Sequence, residues 1–164
     1  MTDQSVASDR STRVRDRVEQ VRRLAAQHKV DAVVLGTQAS VAWLADGLTN
    51  GVLRGRREAT VWIVVTADDA VLLATDTERG RLQAEEEIDA LGLRPVYLPW
   101  FGPAWAHVVR AQVGEGPLAD DGIGLGLDLS TPIRVLRSRL SAVEGERLAD
   151  LSTAATRVVQ DAAV

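Results

Sequence analysis

Apolar residues recur along this chain at the two spacings that mark amphipathic helices and buried strands. Residues 13–28 follow a serine–threonine pair that can cap a helix, and one face of this helix is formed by Val14, Val18, Val21 and Leu24. Residues 31–35 are a short apolar run that ends at Gly36, which is typical of a strand buried on both faces. The chain therefore begins as a helix followed by a strand.

The rest of the chain continues this alternation. Further helices are predicted over residues 39–45, 78–90, 103–113, 131–139 and 142–164. Further strands are predicted over residues 60–66, 70–74, 95–99 and 122–127. The first two form a hairpin with an acidic turn, and the third is an edge strand because proline stands at or next to both of its ends. This order predicts an α/β fold with a mixed central sheet of about five to six strands and helices on both faces.

Composition narrows the classes of function. The 164 residues suit one domain, and the net charge of −4 comes from interspersed acidic and basic residues, which offers no basic face for nucleic acid. The chain has no cysteine, so disulfides and thiolate metal sites are excluded. The polar residues 1–11 lack a signal-peptide core, and we expect them to be flexible. We expect a cytoplasmic protein with no membrane partner.

Residues that could carry chemistry are few. The two histidines, His28 and His107, have neither the spacing nor the neighbouring carboxylates of a metal site, so no metal ligand and no catalytic residue is predicted. The stretch from Gly122 to Gly126 departs from the nucleotide-binding pattern and is interpreted as a glycine-rich strand. The aspartates Asp120 and Asp121 before it are interpreted as turn residues.

Three large aromatic residues cluster beside prolines, namely Trp100, Phe101 and Trp105. Aromatic side chains of this kind can anchor a partner protein at an interface. They can equally form a small satellite core beneath a loop. Both interpretations remain open from the sequence.

Several motifs, taken in order, resemble one known family. They are 29–35 (KVDAVVL), 39–45 (ASVAWLA), the hairpin 61–74, the acidic segment 78–87 followed by 98–101 (LPWF), 123–129 (IGLGLDL) and 139–146 (RLSAVEGE). Together they are similar to the N-terminal domain of the creatinase/prolidase family of Xaa-Pro peptidases, whose catalytic domain has the pita-bread fold. The resemblance covers nearly the whole chain.

The resemblance implies a division of the chain. Residues 12–139 would form the N-terminal-like domain, and residues 140–164 would form a helix that leads into a catalytic domain absent from this sequence. In the family, two divalent metals of the Mn, Co or Zn type are held by that catalytic domain. We therefore expect no cofactor in this chain and no peptidase activity from it alone.

A further implication concerns the loop before the hairpin. In creatinase-like relatives an aromatic–Gly–Arg loop reaches the substrate carboxylate, and the matching residues here are Arg54, Arg56 and Arg57, without the aromatic. Arginine suits this role because its planar fork binds carboxylates through two hydrogen bonds. The alternative is a solvated basic loop.

The resemblance suggests a non-catalytic domain that contributes to subunit contacts and shapes a substrate cleft. Its partners would be a second copy of the chain or a catalytic pita-bread domain. An apolar stripe on the last helix is made by Leu148, Leu151, Val158 and Val159. A catalytic domain would normally help to cover it, and in this chain alone it predicts a dimer or a marginally soluble terminus. The alternative function is a free-standing interaction or small-ligand-binding module that shares only the fold.

Overall fold

The computed structural model describes residues 3–50 and 55–163. The helices are α1 Asp3–His28, α2 Gln38–Leu44, α3 Arg79–Ala84, α4 Trp105–Val113, α5 Ser130–Arg137 and α6 Ala142–Ala162. The strands are β1 Ala32–Thr37, β2 Glu58–Thr66, β3 Ala70–Thr75, β4 Arg94–Leu98, β5 Leu118–Asp120 and β6 Leu127–Asp128. Two single 3-10 turns flank α3, at Asp76–Glu78 and Ile88–Leu91.

The strands form one six-stranded sheet in the order β4-β3-β2-β1-β5-β6. The central pairs β1–β2 and β2–β3 are antiparallel, whereas β3–β4, β1–β5 and β5–β6 are parallel. The mixed α/β sheet is therefore confirmed, with the proline-bounded β4 at one edge. Parallel pairing of β1 with β5 brings their carboxyl ends to the same edge of the sheet.

The core lies on both faces of this sheet because side chains of β1 alternate between them. Val33 and Leu35 join one cluster with the apolar stripe of α1, while Ala32 and Val34 join a second cluster with Val108 and Val109 of α4. The side chains of β1 from Ala32 to Leu35 are fully buried. The prediction of helices on both faces is thus confirmed.

The first helix starts earlier than its apolar pattern indicates. It begins at Asp3, and the predicted start at residue 13 is wrong. No glycine or proline interrupts the added residues, so the helix can continue without an apolar face. Arg10 also fixes this segment, because its guanidinium donates to the carbonyl oxygen of Glu86 at 2.8 Å.

The predicted helix over residues 78–90 is broken in the structure. Helix α3 ends at Ala84, and Glu87 adopts a left-handed conformation with φ of 49°. The cause is Glu86, whose buried carboxylate accepts a hydrogen bond from the amide of Thr49 at 3.1 Å and lies 3.3 Å from Arg81. The predicted helix would leave its acidic residues exposed to solvent. The burial of the Glu86 carboxylate is instead accompanied by the end of α3 at Ala84.

The predicted strand over residues 122–127 is also wrong. The buried strand in this region is β5, and residues 122–126 form a loop around the carboxylate of Asp120. Its two oxygens accept hydrogen bonds from five successive backbone amides, at 2.6 to 3.4 Å, namely those of residues 122–126. Gly122 and Gly124 take φ of 94° and 83°, which other residues rarely adopt. The glycines allow the backbone to form this loop. Asp120 is the last residue of β5 and not a turn residue before a strand over residues 122–127.

The remaining predicted helices and strands agree with the structure to within two residues at each described end. The last helix begins with a capping box, in which Ser141 and Glu144 each bind the other's backbone amide. Glu144 also accepts a hydrogen bond from Arg17 at 3.0 Å. Arg17 is buried and further donates to Asp46 at 3.0 Å and to the carbonyl oxygen of Trp43 at 2.6 Å. These bonds join α1, the end of α2 and the start of α6.

We predict that Asp120→Asn lowers the free energy of unfolding by about 2–3 kcal/mol, because an amide nitrogen would face backbone N–H groups that need an acceptor. Urea denaturation of the variant and the parent measures this difference. Asp150→Asn on the exposed face of α6 is the matched control, with an expected change within about 0.5 kcal/mol. Equal stabilities of both variants would contradict the role given to Asp120.

A second prediction concerns acid stability. Burial by itself would raise the pKa values of Asp46 and Glu144, but hydrogen bonds and charge from Arg13 and Arg17 at Asp46, and from Ser141 and Arg17 at Glu144, lower both below their ordinary values of 3.8 and 4.5. Since both pKa values are lowered on folding, their stabilisation is complete above the ordinary values and is lost as the pH falls through the folded ones.

We therefore expect the free energy of unfolding to fall below about pH 4.5, and to fall less steeply in Asp46→Asn/Glu144→Gln. Urea denaturation at a series of pH values measures the slope. The double variant Glu146→Gln/Asp150→Asn removes two exposed carboxylates from α6 and should keep the parental slope. A slope that is the same in all three proteins would refute the assignment.

Candidate functional site: an arginine cleft at the carboxyl ends of β1 and β5

A polar cleft of about 380 Å³ opens where β1 and β5 end and α2 and α5 begin. Carboxyl ends of parallel strands are a common position for ligand sites in open α/β sheets. The lining combines four arginines, one aspartate and several hydroxyl groups; it comprises Thr37, Gln38, Ala39, Ser40, Arg56, Arg57, Asp121, Ser130, Thr131, Arg134 and Arg137. We refer to this set as the arginine cleft.

The floor of the arginine cleft is fixed by the buried carboxylate of Asp121. Its oxygens accept hydrogen bonds from the backbone amides of Gly36 and Thr37, each at 3.0 Å, and from the Thr37 hydroxyl. The Thr37 hydroxyl lies 2.9 Å from that of Ser40. Because these donors are already engaged, the carboxylate acts as a structural group that holds the end of β1 against the end of β5.

The four arginines come from two segments. Arg56 and Arg57 lie in the loop before β2, and Arg134 and Arg137 lie one turn apart on α5. Within residues 3–50 and 55–163, none of the four forms an ion pair with a carboxylate. The lining of the cleft therefore combines four arginines with the single carboxylate of Asp121.

Two of these guanidinium groups also make weak contacts with the floor. Arg57 donates to the backbone carbonyl of Asp121 at 3.4 Å, and Arg137 donates to the Ser40 hydroxyl at 3.5 Å. The pKa of Arg137 is lowered, chiefly by burial, against an opposing effect of the Asp121 charge and with a smaller lowering by the charge of Arg57. Arg137 is half-buried, whereas Arg57 is exposed.

One further carboxylate lies near the rim. The pKa of Asp128 is lowered, first by its hydrogen bond from the backbone of Ser130, then by the Ser130 side chain and, less strongly, by the charge of Arg57. Asp128 is exposed, and its carboxylate accepts a hydrogen bond from the backbone amide of Ser130 at 2.7 Å. Even with this carboxylate included, the arginine cleft has an excess of positive charge.

The structure describes two of the three arginines that the sequence predicts for a substrate cleft. Arg54 lies outside the described residues, whereas Arg56 and Arg57 line the cleft and are exposed. Sequence reasoning missed Arg134, Arg137 and Asp121. The spacing of three between the two arginines of α5 was an available signal, but their meeting with the loop before β2 depends on the sheet order.

The aromatic cluster is divided by the structure. Trp100 and Phe101 are 71% and 74% exposed and contact each other edge to face, with ring centroids 5.7 Å apart. Trp105 instead stacks on Trp62 at 5.2 Å and packs against the α4 side of the core. An interface role for these residues stays a prediction, and the geometry suits Trp100 and Phe101 better than Trp105.

Helix α6 presents the other exposed apolar surface. Its residues Leu148, Leu151, Val158 and Val159 are 49–68% exposed, and none of its described side chains is buried. No helix in the described part of the chain is both long and apolar enough to cross a membrane. The same part of the chain contains no group of three or more His, Asp or Glu side chains placed to hold a metal ion.

One comparison with a solved structure shows a shared fold. The prolidase from Pyrococcus horikoshii OT3 has a TM-score of 0.57 and 15% identity, over 80% of this chain and 37% of that one. The N-terminal domain of an Xaa-Pro dipeptidase from Lactobacillus brevis has a TM-score of 0.49 and 16% identity, over 82% of this chain and 86% of that one. The chain thus spans little more than a third of the Pyrococcus horikoshii enzyme.

Comparisons of sequence identify the family. A search of curated proteins gave no significant match. The family model for the Creatinase/Prolidase N-terminal domain matches residues 17–159. This match runs from α1 to α6 and takes in the sheet and the arginine cleft. Because it covers well over half of the sequence, the chain belongs to the creatinase/prolidase N-terminal domain family.

Proposed function

We propose that this chain is a non-catalytic domain of an Xaa-Pro dipeptidase- or aminopeptidase-like metallopeptidase, where it makes subunit contacts and helps to shape the substrate cleft. The family match supports the assignment to such a protein. The observation that carries the assembly role is the exposed apolar face of α6, which the domain's own core leaves uncovered. Metal-dependent hydrolysis would then belong to a catalytic pita-bread domain.

The spacing of the apolar residues on α6 favours a second copy of this chain as the partner. Positions separated by three and four residues in turn form a heptad stripe, namely Leu148, Leu151, Ala155, Val158 and Ala162. In an antiparallel pair about a twofold axis near Ala155, Leu151 of each helix would pack near Val158 of the other. Arg147 at one end of the stripe would then lie near the partner's Asp161, an oppositely charged residue.

The cleft-shaping role is proposed for Arg56, with Arg54 and Arg57 beside it. Arg56 lies on an exposed loop and has no carboxylate partner within the described residues. A guanidinium in this position can bind a carboxylate of a bound substrate through two hydrogen bonds. In this proposal the substrate is held by a catalytic domain, and the loop closes one wall of its cleft.

We expect the purified chain to form a dimer at micromolar concentration and Leu151→Asp/Val158→Asp to be monomeric, because two charges would be buried in the stripe. Sedimentation equilibrium measures the mass of both. Thr153→Asp places the charge on the opposite, exposed face of α6 and should leave the dimer intact. A parent chain that stays monomeric at these concentrations would contradict the proposed interface.

A second prediction concerns activity. The purified 164-residue chain should release no proline from an Xaa-Pro dipeptide with Mn²⁺ present, and calorimetry should detect no stoichiometric Mn²⁺ binding. The same assay with EDTA is the control for contaminating metallopeptidase. Proline release that EDTA abolishes, accompanied by tight Mn²⁺ binding to the chain, would overturn the non-catalytic assignment.

A further inference from the structure

Two groups of arginines in this domain have different surroundings. Arg13 and Arg17 are held against the carboxylate of Asp46 at 2.7 and 3.0 Å, so their charges are compensated. The four arginines of the arginine cleft have no such carboxylate partner within residues 3–50 and 55–163. Like charges that converge on one cleft repel one another, and an anionic ligand removes this repulsion.

We propose that the arginine cleft binds a small molecule through a phosphate group. The site is concave, and its volume of about 380 Å³ lies in the range of small-ligand pockets. Arginine is the side chain best suited to phosphate, because its planar fork donates two parallel hydrogen bonds to the oxygens. Here two such forks come from α5 and two from the loop before β2.

The charge of the cleft favours phosphate over a single carboxylate. Four guanidinium groups face the lining carboxylate of Asp121 and the nearby Asp128, which leaves an excess of about two positive charges at neutral pH. A phosphate monoester carries about −1.5 to −2 at pH 7 and matches this excess. A monocarboxylate would neutralise only part of it.

The floor of the cleft is preorganised for a ligand. Asp121 accepts two backbone amides and the Thr37 hydroxyl, which hold its carboxylate in place, and it forms no ion pair with the arginines of the cleft within the described residues. Arg134 and Arg137 line the cleft, where the hydroxyl of Thr131 can add a further hydrogen bond. Little reorganisation is needed on binding, which favours affinity.

This site shares Arg56 and Arg57 with the proposed cleft-shaping loop, but it goes beyond the proposed function because it adds Arg134 and Arg137 of α5 and needs neither a catalytic domain nor a second copy. It would give the domain a ligand of its own. Phosphate binding should persist in Leu151→Asp/Val158→Asp, the variant designed to be monomeric. Failure of the phosphate site would therefore leave the dimer result untouched, and failure of the dimer would leave the phosphate site testable.

The test is titration calorimetry of the full chain with inorganic phosphate at constant ionic strength. A parallel titration with acetate measures the affinity for a carboxylate, and a titration with chloride is the control for the effect of salt. We expect saturable 1:1 binding of phosphate and weaker or no binding of acetate. Arg134→Gln and Arg137→Gln should each weaken phosphate binding about tenfold. Arg157→Gln removes an exposed arginine from α6, outside the cleft, and should leave the dissociation constant unchanged.

Location is tested by NMR, where phosphate should shift the backbone amide resonances of Thr37, Ser40, Ser130 and Thr131. Urea denaturation of each variant ensures that loss of binding is not loss of folding, and Arg134, being exposed, is the safer substitution. The proposal is overturned if folded Arg134→Gln binds phosphate as the parent does. It is equally overturned if phosphate fails to bind, if acetate binds as tightly as phosphate, or if the shifted amides lie elsewhere.

Discussion

The fold depends on two adjacent carboxylates at the end of β5, each of which takes up backbone amides that have no strand partner. Asp120 binds the five amides of residues 122–126, and Asp121 binds those of Gly36 and Thr37. Backbone amides that are withdrawn from water without an acceptor are costly, so these partly and fully buried bonds decide where the chain can leave the sheet. They fix the edge at which β1 and β5 end together.

The arginine cleft is a consequence of that arrangement. The loop held by Asp120 delivers the chain to β6 and then directly to α5, which places Arg134 and Arg137 above the carboxyl ends of β1 and β5. The carboxylate of Asp121 accepts hydrogen bonds from backbone and hydroxyl donors, and it forms no ion pair with an arginine of the cleft within the described residues. Four arginines beside the carboxylates of Asp121 and Asp128 leave the cleft with an excess of positive charge.

The sequence was informative wherever one face of an element is apolar. The stripe of α1, the run in β1 and the hairpin of β2 and β3 follow directly from spacing, and so does the α/β class. Prediction failed where a hydrogen bond from a backbone amide to a polar side chain determines the backbone conformation. Glu86 ends α3 in this way, and Asp120 holds a glycine-rich stretch in a loop. Such effects depend on partners distant in sequence, and so does the placement of Arg57 and Arg137 in one cleft.

Helix α6 has a fixed direction although it lies outside the core. The start of α6 is tied to the domain by its capping box and by the bond from buried Arg17 to Glu144, while the residues from Glu146 onward are exposed. Arg17 is itself held by Asp46 and the carbonyl of Trp43. A surface stripe whose orientation is set before contact binds a partner more favourably, because ordering it on binding would cost conformational entropy. The buried arginine therefore positions the apolar face of α6 without covering it.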